Sequence, residues 1–523
     1  MLIINHGWKP RFLAALAFLV TLAVQSAAAA DDVPASAAPQ AGSIVLRSVH
    51  WVVIGKTKEW ALQDAAEIDG DERFADRASF DAWVQERRQL LINERALASV
   101  EVDVAVSESD EAGVSQADLT FHVKDTWNVV ALPYPKYDSN DGLVLSIKAR
   151  DYNFMGTLEP LRLDFRYELE PDPFKAKDFG SGTVIMEIES STPFKALGHD
   201  WEFEFDHLIG YTNHDGFEYE NTTGLAVIFP IDAFQKETTL KVGAYHGISI
   251  NEENDDEYKA IEGDRFGDYW YMSDSLEAHW TIPIRRVVGY GDLDYVPRSI
   301  LNYNYRPGGD IGVQRRGPTF ELGQKLTLGQ VDWIDNFRKG MEASLDNANV
   351  YNLYDLEWRR SFKLSAAVHR PLSTFAGFSS RFTATWNLDK PESKAGSYLR
   401  GVKDSSVSAD YAAYLNVDLP VRVIKITPST WWPDKKWAKI FDFEQHWSPF
   451  MDFGFLASDD MDTTFSLDDA LVTAGLAVIT FPHSWRSLFV RISLGVNLRE
   501  AISQRTIPDG DARELFIGVG HEY

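Results

Sequence analysis

Apolar and polar residues alternate one by one along most of the chain beyond its first quarter. Trp201, Phe203 and Phe205, for example, are separated by glutamates and flanked by aspartates, and the stretches 161–169 and 381–386 also alternate. Successive side chains of a β-strand point to opposite faces, so a period of two indicates strands with one apolar face and one polar or charged face. The helical period of 3.6 residues is largely absent from this region.

This two-faced pattern predicts a transmembrane antiparallel β-barrel over residues 127–523. In a soluble sandwich, charges would rarely occupy one face of so many strands. Lipid outside a barrel and water inside it explain both faces, and closure pairs the backbone groups that lie in lipid. The pattern contains about 18 candidate strands of about ten residues, with turn residues interrupting the alternation at 219–232 and 287–300. The acidic stretch 251–268 predicts a solvated loop; as a calcium loop it would lack the Asp-x-Asp-x-Asp-Gly spacing.

Residues 43–126 show a different pattern, which predicts one small α/β domain in front of the barrel. A β-rich run is followed by two helical segments and then by two further strands, and Ser79 is placed to cap the second helix. A segment of about 80 residues suffices for one small core. The predicted elements are the strand 44–54, the helix 57–68, a second helix that begins after Ser79, and the strands 99–106 and 117–124.

The first 30 residues show the three zones of a secretory signal peptide. Two basic residues precede an apolar run over 12–24, and small residues follow at 26–30. About 13 apolar residues are too few to cross a hydrocarbon core, which needs about 20. We therefore expect cleavage near residue 30 and export of the mature chain. The Ala/Pro/Ser-rich stretch 31–42 predicts a flexible linker.

The composition excludes several functional classes. The net charge of −27, from 78 acidic and 51 basic residues, argues against nucleic acid as a partner. The absence of cysteine removes disulfides and thiolate metal sites, and the 16 Trp and 20 Tyr suit the two aromatic girdles of a membrane barrel. No serine-hydrolase elbow, zincin or phosphate-loop motif occurs, so we expect no catalytic residues, no cofactor and no metal. A barrel lipase that uses a lone Ser and His is the remaining enzymatic alternative.

The C-terminal residues form one more alternating segment. Leu515, Ile517, Val519 and Tyr523 lie on one face of it, and Tyr523 is the last residue. A barrel that closes on its first strand would show such a final strand. The aromatic end is also similar to the C-terminal signal by which outer-membrane barrels are recognised for assembly. We therefore predict a closing strand that contains these four residues.

Four segments resemble the POTRA-plus-barrel outer-membrane assembly and translocation proteins of the BamA/TamA type. The β-α-α-β-β unit of 43–126 resembles one POTRA domain. Residues 138–142 followed by 150–157 resemble the first barrel hairpin of this family. The stretch 398–402 (Tyr-Leu-Arg-Gly-Val) is similar to its Val-Arg-Gly-Phe/Tyr loop motif, and 449–454 resembles the strand that carries an acidic partner for that Arg. The likeness spans nearly all of the mature chain, although the residues flanking Arg-Gly differ and only one POTRA-like unit is present.

The resemblance implies a barrel of about sixteen strands that inserts or translocates client polypeptides. The edge of the POTRA sheet would capture an extended client by strand addition, and the seam between strands at 127–137 and 513–523 would open. The protein is then expected in the outer membrane of a Gram-negative-type cell, with its domain in the periplasm. Its partners would be unfolded outer-membrane or secreted proteins and outer-membrane lipid. Three alternatives stay open: a dedicated secretion pore for one protein, a passive porin, and a surface adhesin or structural barrel.

The loop motif has a physical rationale of its own. If the loop that carries Arg400 folds into the lumen, the guanidinium loses water and an opposed carboxylate must offset that loss. Asp452 is the candidate partner, because the alternation would turn its neighbours toward lipid and the Asp inward. Gly401 would let the loop tip approach the wall closely, and Gly454 lies on the same strand as Asp452. The alternative is that Arg400 is a solvated extracellular charge and Asp452 one more lumen acid.

Overall fold

The computed structural model describes most of the chain from residue 43 to residue 520. The positions within this span that it does not describe are 69, 71, 95, 108–113, 139–141, 170–181, 213–215, 235, 252–269, 288–289, 310, 313–314, 390–393, 404–406, 458–469, 485–488, 507 and 509–511. The predicted signal peptide and linker, residues 252–268 of the predicted acidic loop, and Tyr523 lie outside the described residues.

The N-terminal domain is a four-stranded sheet against which two helices pack. Its strands lie in the order β2-β1-β4-β3, with β1 parallel to β4 and the other pairs antiparallel. The helices and the sheet share a core in which Leu62, Phe80, Leu91 and Phe121 are fully buried. Each such side chain contributes about 1.5–3 kcal/mol to stability. The elements are β1 (Ile44–Ile54), α1 (Glu59–Ala65), β2 (Arg73–Phe74), α2 (Arg77–Asn93), β3 (Leu97–Val106) and β4 (Ser115–Asp125).

The second helix begins earlier than the sequence predicts. Asp76, not Ser79, is its N-cap: the Asp76 carboxylate accepts a hydrogen bond of 2.8 Å from the Ser79 backbone N–H. The Ser79 hydroxyl in turn accepts one from the Asp76 N–H, which completes a capping box. Apolar spacing alone misplaced the start because the first helical turn contributes no large apolar residue before Phe80.

The remaining strands form one closed antiparallel barrel, as predicted, in which the last strand, β23, lies beside the first, β5. Apart from β18 and β19, which both pair with β20, the other barrel strands pair with their neighbours along the chain. The strands are β5 (Val129–Asp138), β6 (Gly142–Asp151), β7 (Leu161–Leu169), β8 (Thr183–Ala196), β9 (His199–Thr212), β10 (Gly216–Ala233), β11 (Lys236–Asn251), β12 (Trp270–Val287), β13 (Gly291–Tyr305), β14 (Thr319–Ile334), β15 (Phe337–Asn352), β16 (Glu357–Pro371), β17 (Gly377–Asn387), β18 (Tyr411–Asp418), β19 (Val421–Ile426), β20 (Phe443–Ala457), β21 (Leu471–Pro482), β22 (Phe489–Asn497) and β23 (Arg513–Gly520).

The barrel has more strand positions than the sixteen that the family resemblance implied. β18 and β19 pair end to end with the same strand, β20, and only Leu419 and Pro420 separate them. The 19 described segments therefore occupy 18 positions around the barrel. The count taken from the alternation alone was right, and its reduction to sixteen was wrong. Of the two interrupted stretches, 219–232 lies within β10, whereas 287–300 begins at the last residue of β12 and has residues 291–300 in β13.

The two ends of the barrel differ in their connections. At the end where the N-terminal domain lies, called here the domain-side end, strands are joined by turns as short as 197–198 and 335–336. The opposite end, called here the far end, carries longer links such as 388–410 and 498–512. One domain-side link is an exception, because 427–442 spans sixteen residues. It holds the short helix α3 (Pro428–Trp431), and the far-end link after β22 holds α4 (Leu498–Gln504).

Side chains along β20 show how the wall is built. The even-numbered residues from Glu444 to Asp452 are buried, whereas Trp447 and Met451 between them are exposed. The exposed set is apolar and the buried set includes charges, as expected for a wall between lipid and lumen. Among the described residues, no helix has both the length and the apolar character needed to cross a membrane.

A closed ladder predicts a heat-modifiable protein. We expect the mature chain, refolded in detergent, to migrate faster on a gel before boiling than after it. The ladder of 18 strand positions opens only when many pairings break together. A sample refolded and then denatured in urea is the control, and should match the boiled one. Equal mobility of boiled and unboiled samples would contradict a closed barrel.

Candidate functional site in the barrel lumen

The described part of the far-end loop 388–410 folds back against the lumen face of β18. The Tyr414 hydroxyl donates a hydrogen bond of 2.8 Å to the Ala395 carbonyl, and the Asn416 side-chain amide donates one of 3.0 Å to the Tyr398 carbonyl. The rings of Tyr398 and Tyr414 stack with centroids 4.7 Å apart. The loop is thus a packed part of the structure. Its buried cluster consists of Ala395, Leu399, Val402, Ala409, Ala412 and Tyr414.

The structure places Arg400 at the tip of this loop, in contact with Asp452. The guanidinium donates two hydrogen bonds to the Asp452 carboxylate, one of them 2.9 Å from Nε to Oδ2, and the Arg400 backbone N–H donates a third of 3.0 Å. Asp452 is 0% exposed and the Arg400 side chain 21% exposed. The planar guanidinium also lies over the Phe450 ring, 3.8 Å from its centroid. This paired, stacked geometry is one that lysine could not reproduce.

A second carboxylate, missed by the sequence analysis, completes the site. Arg400 Nη1 donates a hydrogen bond of 2.7 Å to Asp418 Oδ1. Asp418 lies at the end of β18, and its backbone is opposite Phe450 on β20, whereas Asp452 is opposite Asn416. One cation therefore faces two acids. Alternation could have indicated Asp418, because it shares a strand face with Tyr414 and Asn416.

The loop tip also reaches the strands next to the seam. Gly401 has a φ of +94°, and a Cβ there would lie 2.5 Å from the Val496 backbone nitrogen on β22. The Gly401 N–H donates a hydrogen bond of 3.0 Å to Glu514 on the closing strand β23. A Cβ on Gly454 would lie 2.7 Å from Leu399 Cδ1. The tip is therefore seated against β20, β22 and β23 at once.

The predicted closing strand is β23. Leu515 is opposite Leu494 on β22, Ile517 is opposite Ile492, and Val519 is opposite Val490. Leu494 and Ile492 are exposed on the outer face of the barrel, which places Leu515 and Ile517 toward lipid. Glu514 precedes Leu515 by one position and so points to the lumen, where it meets the loop.

Substituting Gly401 by alanine should displace the loop tip. The new Cβ would meet backbone atoms of Val496 and Gly495, which cannot rotate away as a side chain can. Gly308→Ala is the matched control, because Gly308 has a φ of +77° with nothing within 4 Å of its Cβ position. Both variants bear a left-handed backbone cost of about 1–2 kcal/mol. Protease cleavage within 388–410 should rise only in Gly401→Ala, and equal cleavage in both variants would contradict the close fit.

A second element enters the lumen at the domain-side end. The hairpin between β14 and β15 brings Phe337 onto His446 of β20, with ring centroids 4.6 Å apart, and Trp333 onto Phe481 of β21. Asn336 donates a hydrogen bond of 3.4 Å to Glu444. β15 and β20 are four strand positions apart. The hairpin therefore narrows this end of the lumen by packing on the same wall that holds the loop.

The N-terminal domain touches this hairpin directly. Asn93, the last residue of α2, donates a hydrogen bond of 3.1 Å to Asp332 and accepts one of 3.2 Å from the Trp333 backbone N–H. Arg286 at the end of β12 adds ion pairs to Glu67 and Glu86 of the domain. Contacts thus join the domain to two barrel strands on this side, β12 and β14.

A tighter contact joins the domain to the turn between β6 and β7. Asn153 is fully buried, and its amide donates a hydrogen bond of 2.6 Å to the Thr57 hydroxyl, which itself donates one of 2.6 Å to Asp125. The Gly156 carbonyl accepts a hydrogen bond of 2.9 Å from the Lys58 N–H. We call this turn, residues 152–160, the docking turn. In the sequence analysis its residues counted only as part of a barrel-hairpin likeness, and their contact with the domain was missed.

Comparisons with known proteins give fold-level neighbours only. No family model matches the chain, and no curated protein matches it. Similar solved structures include BamA from Haemophilus ducreyi lacking POTRA domains 1–3, which is 12% identical, with 91% of this chain and 84% of that one covered and a TM-score of 0.38. CdiB from Acinetobacter baumannii is 11% identical, with coverage of 91% and 74% and a TM-score of 0.45. CdiB from Escherichia coli is 11% identical, with 99% of both chains covered and a TM-score of 0.38.

Proposed function

We propose that this chain inserts or translocates client polypeptides at the outer membrane of a Gram-negative-type cell, without an enzymatic step. The observation that carries the proposal is the docking of a domain with an open sheet edge onto the turn that follows the first barrel hairpin. β4 of the domain ends at Asp125 and the first barrel strand begins at Val129, so the two lie next to each other. In this proposal the domain is periplasmic.

The open edge is β3. It pairs with β4 on one side and, among the described residues, with no strand on the other. The backbone N–H and C=O groups of this ten-residue strand that point away from β4 can pair with an extended client, which can bind as an added strand. Glu101 and Asp103 on this strand are exposed and discourage pairing between copies of the domain. A client strand would thus be captured beside the barrel.

The seam between β5 and β23 would then receive the client. Gly518 and Gly520 reduce the side-chain packing available to the closing strand. The loop tip holds β23 through the Gly401–Glu514 hydrogen bond and holds β20 through Arg400. We propose that these contacts of the loop tip favour the closed seam and are released when a client strand pairs with the seam.

The narrowed lumen fits a passive porin less well than it fits a translocating barrel. The far-end loop lies on the wall of β18 to β23, and the hairpin of β14 and β15 narrows the domain-side end. A dedicated secretion pore for one partner is the second candidate, favoured by the single domain. The two are distinguished by depletion: loss of many outer-membrane proteins indicates general assembly, and loss of one secreted protein indicates a dedicated pore.

Deleting residues 43–126 tests whether the N-terminal domain handles clients while the barrel alone spans the membrane. We expect the truncated barrel to insert and stay heat-modifiable, because its strand ladder is intact, but to lose client handling with the β3 edge. The measurement is client assembly or secretion in a strain that carries only the truncated form. Mature chain lacking only the linker 31–42 is the control for altered export. Undiminished client handling without the domain would refute the proposal.

A further inference from the structure

The sixteen-residue link 427–442 differs from every other described turn at the domain-side end. It carries Trp431, Trp432 and Trp437, three of the sixteen tryptophans of the chain. Side-chain rings follow one another at centroid distances of 5.9 Å from Trp431 to Trp432, 5.8 Å from Trp432 to Trp437 and 6.0 Å from Trp437 to Phe441. These rings form one aromatic surface that lies beyond the ends of the strands.

This surface is exposed although the link itself is well anchored. Trp431 is 62% exposed, Trp437 50% and Phe441 58%. Asp442 accepts a hydrogen bond of 2.9 Å from the Ser429 N–H, and its carbonyl accepts another of 2.9 Å from the His483 N–H. Because hydrogen bonds hold both ends of the link, the exposure of its largest apolar side chains is not a result of a loose structure. Exposed apolar patches of this kind mark a surface that another phase or molecule covers.

The surface continues the lipid-facing side of the barrel wall. Trp447 and Val423 are exposed on the two strands that the link joins, and Phe375 is exposed on the next domain-side turn. The Phe375 carbonyl accepts a hydrogen bond of 2.7 Å from the Arg422 N–H, which holds that turn against β19. The aromatic surface therefore begins where the wall leaves the hydrocarbon. Tryptophan prefers this interfacial depth, because its ring is apolar and its N–H is polar.

The same link concentrates positive charge in a strongly acidic chain. Lys435, Lys436 and Lys439 lie within five residues, against a single exposed acid, Asp434. In the described part of the chain, none of these three ammonium groups takes part in an ion pair. Lysines at the rim of an apolar surface extend toward headgroups and attract anionic lipid. The chain as a whole carries a net charge of −27, which would be repelled from such a surface.

We infer that the link 427–442 is a lipid anchor that lies in the headgroup region of the domain-side leaflet and binds anionic phospholipid. The rings enter the interface and the three lysines contact the phosphates. The anchor holds the wall of β19 to β21, four positions or fewer from the seam, at a set depth in the membrane. The anchor requires only that the barrel lies in lipid. Its test is therefore independent of whether the protein handles clients.

The absence of cysteine makes a direct test possible. Ile440→Cys, at an exposed position of the link, is labelled with an environment-sensitive fluorophore in the full mature chain. The protein is placed in phosphatidylcholine nanodiscs with and without phosphatidylglycerol. Quenching by aqueous iodide is compared with quenching by a lipid nitroxide near the headgroup. Ala82→Cys on α2 is the aqueous control, and Trp447→Cys on the outer wall is the hydrocarbon control.

We expect the label at 440 to resist iodide several-fold better than the label at 82 and to be quenched by the headgroup nitroxide. Phosphatidylglycerol should increase this protection, and the triple variant Lys435→Gln, Lys436→Gln, Lys439→Gln should lose that increase. Iodide quenching equal to that at 82 in both lipids would overturn the anchor and would point to a protein partner as the covering molecule. Protection that is unaffected by phosphatidylglycerol would overturn the anionic-lipid assignment.

Discussion

Arg400→Ala should impair both client handling and the heat stability of the barrel, by about 3–5 kcal/mol of lost stabilisation. Removing the guanidinium leaves two acids, Asp452 and Asp418, facing each other with no cation between them, and Asp452 is fully buried. Breaking a buried ion pair from one side is costly because the remaining charge stays out of water. The Phe450 ring also loses the group that covers it.

Asp452→Ala should cost less than Arg400→Ala, because Arg400 keeps its hydrogen bond to Asp418. The double variant Arg400→Ala, Asp452→Ala should be no worse than the worse single variant. A charge swap, Arg400→Asp with Asp452→Arg, is expected to rescue only partly, because the guanidinium fork and a carboxylate differ in shape and reach. Client secretion or assembly rate and the temperature of gel-shift loss are measured for all variants as a double-mutant cycle. Strictly additive losses would show that the two residues act separately and would remove the basis for this site.

Gly156→Ala should release the N-terminal domain from the barrel without weakening the barrel itself. The φ of Gly156 is +78°, and a Cβ there would lie 2.1 Å from the Lys56 carbonyl oxygen. The docking turn would have to move away, and the hydrogen bond from Lys58 to Gly156 would be lost with it. The buried Asn153 would then lose its hydrogen bonds to Thr57 and Asp125, each worth about 1 kcal/mol or more.

Gly198→Ala is the matched control for this variant. Gly198 has nearly the same φ, +79°, also lies in a domain-side turn, and has nothing within 4 Å of its Cβ position. Spin labels at Ala82→Cys on the domain and Glu237→Cys on β11 would report the distance between domain and barrel. We expect the distance distribution to broaden only in Gly156→Ala, with client handling reduced and heat-modifiability kept. A narrow, unchanged distribution would show that the docking turn does not hold the domain.

The sequence predicted the elements whose signal is local. Alternation identified the barrel strands and turned Asp452 inward, because side-chain direction in a strand depends only on neighbouring positions. Gly401 and Arg400 were singled out through the family resemblance, and the structure brings them to the wall that carries Asp452. Whether this contact has the proposed role is for the double-mutant cycle to decide.

What the sequence did not predict depends on partners that are distant in the chain. Asp418 becomes part of the site only through the register of β18 on β20 and the path of the loop. Phe337 faces the lumen by alternation, but nothing local indicates that it meets His446, 109 positions further along the chain and four strand positions away. The role of the docking turn likewise depends on its hydrogen bonds to Thr57 and Asp125, which lie in the N-terminal domain.

The strands are of unequal length, and this gives the barrel a sloping far rim. β10 and β12 contain 18 residues each, whereas β5 and β6 beside the seam contain 10 each. At a rise of about 3.4 Å per residue and a tilt of about 45°, these correspond to heights of about 43 Å and about 24 Å. Only the shorter height matches an apolar band of about 25 Å.

A row of polar contacts crosses the outer face of the tall wall. On the outer face of β9 to β12, Asn221 is hydrogen-bonded to His207, and His246 pairs with Asp274 at 2.8 Å. Leu225 and further apolar residues of β10 lie below this row, and Ile209, Tyr211 and Phe217 are exposed above it. Because the strands far from the seam are longer, the far rim is high on the side opposite the seam and low at the seam. A polypeptide that leaves the lumen at the far end has its shortest way out over the low side, directly above β5 and β23.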